Sequence, residues 1–347
     1  MALALHHVPE VGPADHIAEW IEQLPITAPM HQTVQRNRSG PARGRGPAIG
    51  GTQVLSVRVR GPFDLSLSLA AAASFLPVAQ PPSVLTTAID WDGNAVAVTI
   101  SQPARRLSVV HASAIPRINK ASLAQVAKWL VWSELDLRPF YELATRHPAM
   151  NPVVSSLNGL KPLRPATLFE MAIIAITEQQ LSLAAAFHIR ARLVSRFGER
   201  LGSLWRFPSA ERLAAASLQE LTSCGLSRRK AEYVKELTER VTQGVLDFDA
   251  LREQSDERIR QQLLATRGFG DWSVEYILAR GFGRADALPS GDAGLRRVIG
   301  HYFGRHRRLT PAQLERALAP FTPFRGLAAY YLAVHWRLRR SVKRALA

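Results

Sequence analysis

From Thr52 onward, hydrophobic and polar positions alternate along the chain. Leu55, Val57 and Val59 take turns with Ser56, Arg58 and Arg60, and Val96, Val98 and Ile100 with Ala95, Ala97 and Thr99. Leu107, Val109 and His111 make a third such run. A period of two puts successive side chains on opposite faces of a strand. Between Trp91 and Asn94 stands Asp92-Gly93, a pair that tolerates the positive φ angles of a two-residue hairpin turn. Residues 68–75 read as a short Ala-rich helix. The pattern predicts a small antiparallel sheet with a covering helix over residues 52–118.

Beyond Lys120 the period becomes helical. Ser217-Leu218-Gln219-Glu220 is a capping box whose helix is closed by Gly225. Thr310-Pro311-Ala312-Gln313 is a second one, with Pro at the first helical position. Ser182 opens a helix carrying Leu183, Ala186, Phe187, Val194 and Phe197, stopped at Gly198. With helices of ordinary length, residues 119–347 accommodate roughly eight to ten of them. The fold class expected is therefore α+β, a small antiparallel sheet domain followed by an all-α domain. Residues 1–51 differ from both. Their stretch from Gln35 to Gly46 is basic and rich in Gly and Pro, a composition that does not order alone. A tethering arm and a dispensable extension both fit it.

Composition narrows the function. Of 347 residues 47% are hydrophobic, which is enough for a real core. Lys and Arg number 44 against 28 Asp and Glu, a formal net charge of +16. A globular chain so basic commonly meets a polyanion. The single cysteine, Cys224, excludes a disulfide framework, a Cys-rich zinc site and a four-cysteine cluster within one chain. No apolar run reaches the length of a membrane span, and Met1 to His7 lacks the positive start of a signal peptide. The expectation is a cytoplasmic, nucleoid-associated protein of bacterial type, with no membrane partner.

The densest chemistry lies between residues 255 and 297. Ser255 opens a helix bearing Ile259, Leu263 and Leu264, Gly268 breaks it, and another helix starts after Gly270. Two glycines one residue apart allow positive φ and close approach of the backbone to another molecule. The second helix then points its N–H groups and positive dipole end outward, which suits an anion such as a phosphate. Arg267, Gly268, Phe269, Gly270, Asp271 and Ser273 are the candidate DNA contacts of this hairpin, spanning 255–280. Next comes Pro289-Ser290-Gly291-Asp292, leading into a helix with Leu295, Val298 and Ile299. By the rules of helix entry Asp292 is an N-cap. Its position just past the hairpin makes it equally a candidate catalytic acid.

These motifs, in this order, resemble the helix-hairpin-helix DNA glycosylase superfamily, a group with a Gly/Pro-rich loop and a catalytic Asp. The similarity is greatest to its alkylation-repair branch, the 3-methyladenine DNA glycosylase II type. Several other stretches carry it: Asp136 to Leu143, Gly159 to Pro165, Ile176 to Ser182 with its Gln-Gln-x-Ser pattern, and Gly225 to Tyr233. It covers about residues 52–336. The resemblance implies a two-lobed helical domain with a cleft between the lobes, and base excision from duplex DNA. Asp292 would then stabilise an oxocarbenium-like sugar and direct water to it.

The superfamily's lyase members have a nucleophilic Lys where this chain has Trp272, so the resemblance implies hydrolysis without strand cleavage, because a Schiff base needs an amine. Trp272 and Tyr276, four apart on one helix face, would line the base pocket together with Gln179 and Gln180. A methylated purine such as 3-methyladenine or 7-methylguanine is positively charged and gains from stacking on electron-rich rings. Two positions depart from the branch. Gln180 stands about where an apolar wedge is expected, and Ala333 where a pocket Trp is expected, with Trp336 three residues on. No cofactor or catalytic metal is implied, since His301 and His306 lack further ligands at metal spacing. A structural monovalent cation on hairpin carbonyls between Thr266 and Gly270 is the one ion the resemblance allows. Removal of another damaged base, deaminated or oxidised, and lesion binding without excision remain alternatives. The chain is expected to act as a monomer.

Overall fold

In a computed structural model the described residues are 54–72, 84–103, 108–304 and 306–345. The basic extension, the end of the expected 68–75 helix, Leu107 and Arg305 lie outside them. Strand β1 (Leu55–Arg58) precedes helix α1 (Leu65–Ala72), then β2 (Val84–Trp91), β3 (Asn94–Ser101) and β4 (Val109–Ile115). The β2–β3 hairpin closes through Asp92 and Gly93, both at positive φ, as the sequence required. Val57, Val96, Val98 and Ile100 point into a core with Leu65, Leu69, Leu85 and Ile89.

Three features depart from the sequence expectation. In β4 the buried positions are Val110, Ala112 and Ala114, so Val109 and His111 lie on the opposite face from the one expected. Cross-strand register decides this, with Ala112 set against both Ile100 and Leu55. The sheet also continues into the helical region. Strands β5 (Glu199–Leu201) and β6 (Leu204–Arg206) form a hairpin whose β6 joins β2 in parallel, giving the order β1-β4-β3-β2-β6-β5. Arg206 fastens that junction by pairing with Asp90 and Glu199. The sheet core finally takes in Leu123, Ala127, Leu130 and Val131, so by packing it runs past residue 118.

The remaining chain is helical, in more and shorter pieces than expected. Helices α2 (Lys120–Leu130), α3 (Arg138–Ala144), α4 (Asn151–Ser156), α5 (Leu168–Glu178) and α6 (Leu183–Phe197) come before the β5–β6 hairpin. After it follow α7 (Ala210–Ala215), α8 (Leu218–Ser223), α9 (Arg228–Thr242), α10 (Phe248–Leu251), α11 (Asp256–Leu264) and α12 (Asp271–Ile277). The chain ends in α13 (Ala293–Phe303), α14 (Pro311–Leu318) and α15 (Arg325–Ala345). Side-chain caps at Ser182, Ser255 and Thr167, and both capping boxes, set the helix starts. Each such cap is worth about 1 kcal/mol.

Two separate apolar clusters divide these helices into lobes. One gathers Leu168, Ile174, Leu193, Val234, Leu263 and Ile277. The other joins Phe140, Met150 and Leu157 to Ile299, Leu314 and Tyr331, so residues far apart in sequence share it. Among the described residues no helix is long and apolar enough to cross a membrane.

Candidate active site

A cleft of about 850 Å³ opens between the two lobes. Glu178, Trp272 and Tyr276 line it from one side, and Leu295, Ala329, Tyr330 and Ala333 from the other. The turn that joins them brings Asp292 to the rim.

Asp292 uses its two carboxylate oxygens on different partners. It is the N-cap of α13, and its Oδ1 accepts from the N–H of Leu295 at 2.7 Å. Its Oδ2 accepts from Trp272 Nε1 at 2.8 Å, a bond between the lobes. A Cβ on Gly294 would stand 3.2 Å from Asp292 Oδ1, so the glycine leaves room for the carboxylate over the start of its own helix. The carboxylate thus has a fixed direction and is only half-buried.

Trp272 and Tyr276 stack on each other at 5.2 Å between ring centroids and 24° between planes. One turn of α12 between them produces that arrangement. The Tyr276 hydroxyl donates to Glu178 Oε2 at 2.9 Å, and Glu178 Oε1 accepts from Arg190 at 2.9 Å. Burial raises the Glu178 carboxyl above its ordinary range while Arg190 opposes the rise, and burial carries the Tyr276 phenol well above its usual value. Sequence reasoning missed Glu178, although it sits directly before Gln179 in the motif already singled out. It also missed Arg280, over the Tyr330 ring at 4.6 Å, whereas Arg337, which the sequence offers as part of a basic C-terminal run able to touch phosphates, donates to the Ala71 carbonyl at 2.6 Å. Both line the cleft.

Gln179 and Gln180 part company. Gln179 Nε2 donates to the Gly268 carbonyl at 2.7 Å and to Ser273 Oγ at 2.9 Å, tying α5 to the hairpin. Lys230 completes that tie through the carbonyls of Thr177 and Gln179 at 2.9 and 2.6 Å. Gln180 is exposed at the cleft mouth with φ at 56°, the left-handed region that costs most side chains about 1–2 kcal/mol. Beside it Leu181 and Leu183 are 42% and 38% exposed, large apolar side chains that the sequence reading placed no function on.

The hairpin forms as expected, with one change of reason. Only Gly268 takes positive φ, at 96°, and a Cβ there would meet the Tyr233 ring at 2.5 Å. Gly270 has an ordinary φ of −112°, with open space where a Cβ would go. Its lack of a side chain leaves the start of α12 open to approach. Arg267 and Asp271 are exposed, whereas Phe269 and Ser273 are buried, so at those two positions only backbone is within reach of a ligand. Thr266 and Gly268 carbonyls already accept from Phe269 N and Gln179 Nε2, at 3.1 and 2.7 Å. A cation at the hairpin would have to share them.

His301 and His306 stand with their Nδ1 atoms 2.7 Å apart. Among the described residues no group of three His, Cys, Asp or Glu is placed to hold a metal. Arg307 and Arg308 are exposed and, with Arg316, line a second recess. Glu170 is structural, accepting from Ala166 N at 3.0 Å at the start of α5.

Two helical lobes, a glycine hairpin, an aromatic pair and one aspartate at the cleft make up a helix-hairpin-helix architecture. Residues 173–323 match the family described as HhH-GPD superfamily base excision DNA repair protein, and it is this region of the chain that is similar to that superfamily. It is 27% identical over 213 residues to a DNA-3-methyladenine glycosylase of Bacillus subtilis, covering 60% of this chain and 69% of that protein. With DNA-3-methyladenine glycosylase 2 of Escherichia coli it shares 29% over 167 residues, covering 47% and 56% respectively. The chain thus spans between half and just over two thirds of these curated relatives. A solved 3-methyladenine DNA glycosylase from Archaeoglobus fulgidus has the same fold, with a TM-score of 0.73 at 23% identity over 82% of this chain and 98% of that one.

Proposed function

We propose that this protein is a monofunctional DNA glycosylase that flips an alkylated purine out of duplex DNA and hydrolyses its N-glycosidic bond, leaving an abasic site. The observation that carries this reading is the pairing of Asp292 with Trp272 on the cleft rim. An extruded base stacks on the exposed face of the Trp272–Tyr276 pair, which places its sugar near the Asp292 carboxylate. As the bond to the base breaks, positive charge grows on the sugar, and a fixed carboxylate stabilises it without having to reorganise. The same oxygen atoms can orient the attacking water. No amine stands at the Trp272 position, so no Schiff base forms and the backbone stays intact. A methylated purine is positively charged and already a good leaving group, and cation–π stacking on such rings contributes roughly 0.5–2 kcal/mol. The hairpin at Gly268–Gly270 and the exposed Arg267 hold the DNA backbone.

A second reading is favoured by one observation. With Ala333 in place of a bulky ring, Arg280 and Arg337 reach the cleft lining, and guanidinium donors suit a base that presents carbonyl acceptors. A deaminated or oxidised purine has such an edge. The test is release of free base from two duplexes, one methylated and one carrying hypoxanthine or 8-oxoguanine, with strand nicking scored in parallel. Release of 3-methyladenine or 7-methylguanine without nicks supports the first reading. Release only from the second duplex supports the other, and lesion binding with no release at all leaves a binding protein.

A further inference from the structure

The two rings of the cleft are held by carboxylates at opposite ends. Trp272 Nε1 donates to Asp292, and the Tyr276 hydroxyl donates to Glu178. Asp292 has an evident task in the proposed chemistry. Glu178 has none, yet its side chain is only 5% exposed, it lines the cleft, and it meets the ring pair at the Tyr276 hydroxyl.

An ionisable group buried there needs strong partners to keep its charge. Glu178 has them. Arg190 forms an ion pair with it at 2.9 Å, itself only 6% exposed. Arg280, three residues past the end of α12, Arg337 from α15 and Lys230 from α9 also act on it electrostatically. Arg190 donates to its Oε1 and Tyr276 to its Oε2. A phenol donating to a carboxylate is held in orientation, and its oxygen, partly relieved of its proton, passes more electron density into the ring. Both consequences fall on the face against which the base would stack.

We propose that Glu178 is the positioning residue of the base-stacking platform: through Tyr276 it holds the ring flat against Trp272 and enriches it in electrons, favouring a positively charged base. This rests on the alkyl-purine reading given above and names the residue behind its preference. Glu178 does not touch the sugar or the DNA backbone, so its effect is confined to states in which a base occupies the cleft.

The test compares wild type, E178Q, Y276F and the double variant by two readouts. One is the single-turnover rate of 7-methylguanine release from methylated duplex. The other is affinity for a duplex carrying a tetrahydrofuran abasic analogue, which offers no base to stack. Gln keeps an acceptor for the phenol but not the charge, and Phe keeps the ring but not the bond. The expected result is release slowed about 2- to 30-fold in each single variant, the span of a cation–π contribution. Abasic affinity stays within twofold, and the double variant is no slower than the slower single one. Release within twofold of wild type in E178Q overturns the proposal. So does a loss of abasic affinity in step with the loss of rate, which would mark a purely structural role. Should E178Q fail to fold, Y276F decides alone by the same two readouts. If wild type itself releases no 7-methylguanine, the alkyl-purine reading fails first, before any variant is compared.

Discussion

Replacing Gly268 and Gly270 by alanine, one at a time, separates the two jobs of the hairpin. At Gly268 the backbone has φ of 96°, and an added Cβ meets Tyr233 Cγ at 2.5 Å and Cδ2 at 2.7 Å. The left-handed conformation costs an alanine about 1–2 kcal/mol. Relieving the overlap means shifting a ring that packs in the lobe core, at about 1–3 kcal/mol more. Gly268→Ala should therefore lower unfolding free energy by roughly 2–5 kcal/mol. Gly270 has an unstrained φ and open space, so its alanine variant loses at most about 1 kcal/mol, the difference between Gly and Ala at an N-cap. A methyl group there still stands between the start of α12 and any phosphate approaching it. Urea unfolding followed by fluorescence gives the stabilities, and anisotropy on a labelled abasic-analogue duplex gives the affinities. The expected result is a crossed pair, with Gly268→Ala unstable and Gly270→Ala stable but weaker on DNA by about tenfold or more. Equal stability of Gly268→Ala and wild type would refute the packing argument. Undiminished DNA affinity in Gly270→Ala would refute the hairpin's role in holding the backbone.

Two further outcomes follow from other parts of the molecule. Lys161 is fully buried, donates to the Arg60 and Leu135 carbonyls, and burial lowers its ammonium to about 7. Between that value and the ordinary 10.5 the unfolded chain holds a proton that the folded one lacks, so stability rises with pH across this window and the gain is lost as pH falls toward 7. The stability of wild type minus that of Lys161→Met should accordingly rise from pH 7 to pH 9.5, with a slope approaching about 1.4 kcal/mol per pH unit; a difference independent of pH would count against it. Leu181→Ala removes an exposed apolar side chain at the cleft mouth, so unfolding free energy should stay within about 0.5 kcal/mol. If Leu181 takes the space an extruded base leaves, affinity for lesion duplex should fall by roughly 1–2 kcal/mol, and unchanged affinity would exclude that use.

What the sequence disclosed was mostly local. The Asp92-Gly93 turn, the Ser217 and Thr310 capping boxes and the hairpin at Gly268 are each written within four or five residues, and each forms as read. The phase of β4 is not local. Val109 and Val110 are adjacent valines, and only the pairing of Ala112 with Ile100 and Leu55 tells which of them turns inward. Strands β5 and β6 have three residues each, too few to show a period, and they exist because β6 finds the edge of β2. The candidate site divides in the same way. Helix entry marks Asp292 as a cap and i, i+4 spacing puts Trp272 and Tyr276 on one face, while their place in a site came from the resemblance to the glycosylase superfamily. That Gln179 would spend its amide on Gly268 and Ser273, that Ser273 would be buried, and that Glu178 would meet Tyr276 all depend on α5 packing against α12. Nothing in the order of residues announces that packing.

The most direct test of the account is the single-turnover release of 7-methylguanine from methylated duplex by wild type and Asp292→Asn. Asparagine keeps an acceptor for Leu295 N–H, and so preserves the cap while removing the negative charge. Losing one preorganised electrostatic group of this kind costs about 10²- to 10³-fold in rate. The account predicts release that falls by at least that factor in the variant, with abasic-duplex affinity retained and no strand nicks from either protein. Release by Asp292→Asn at the wild-type rate would contradict it.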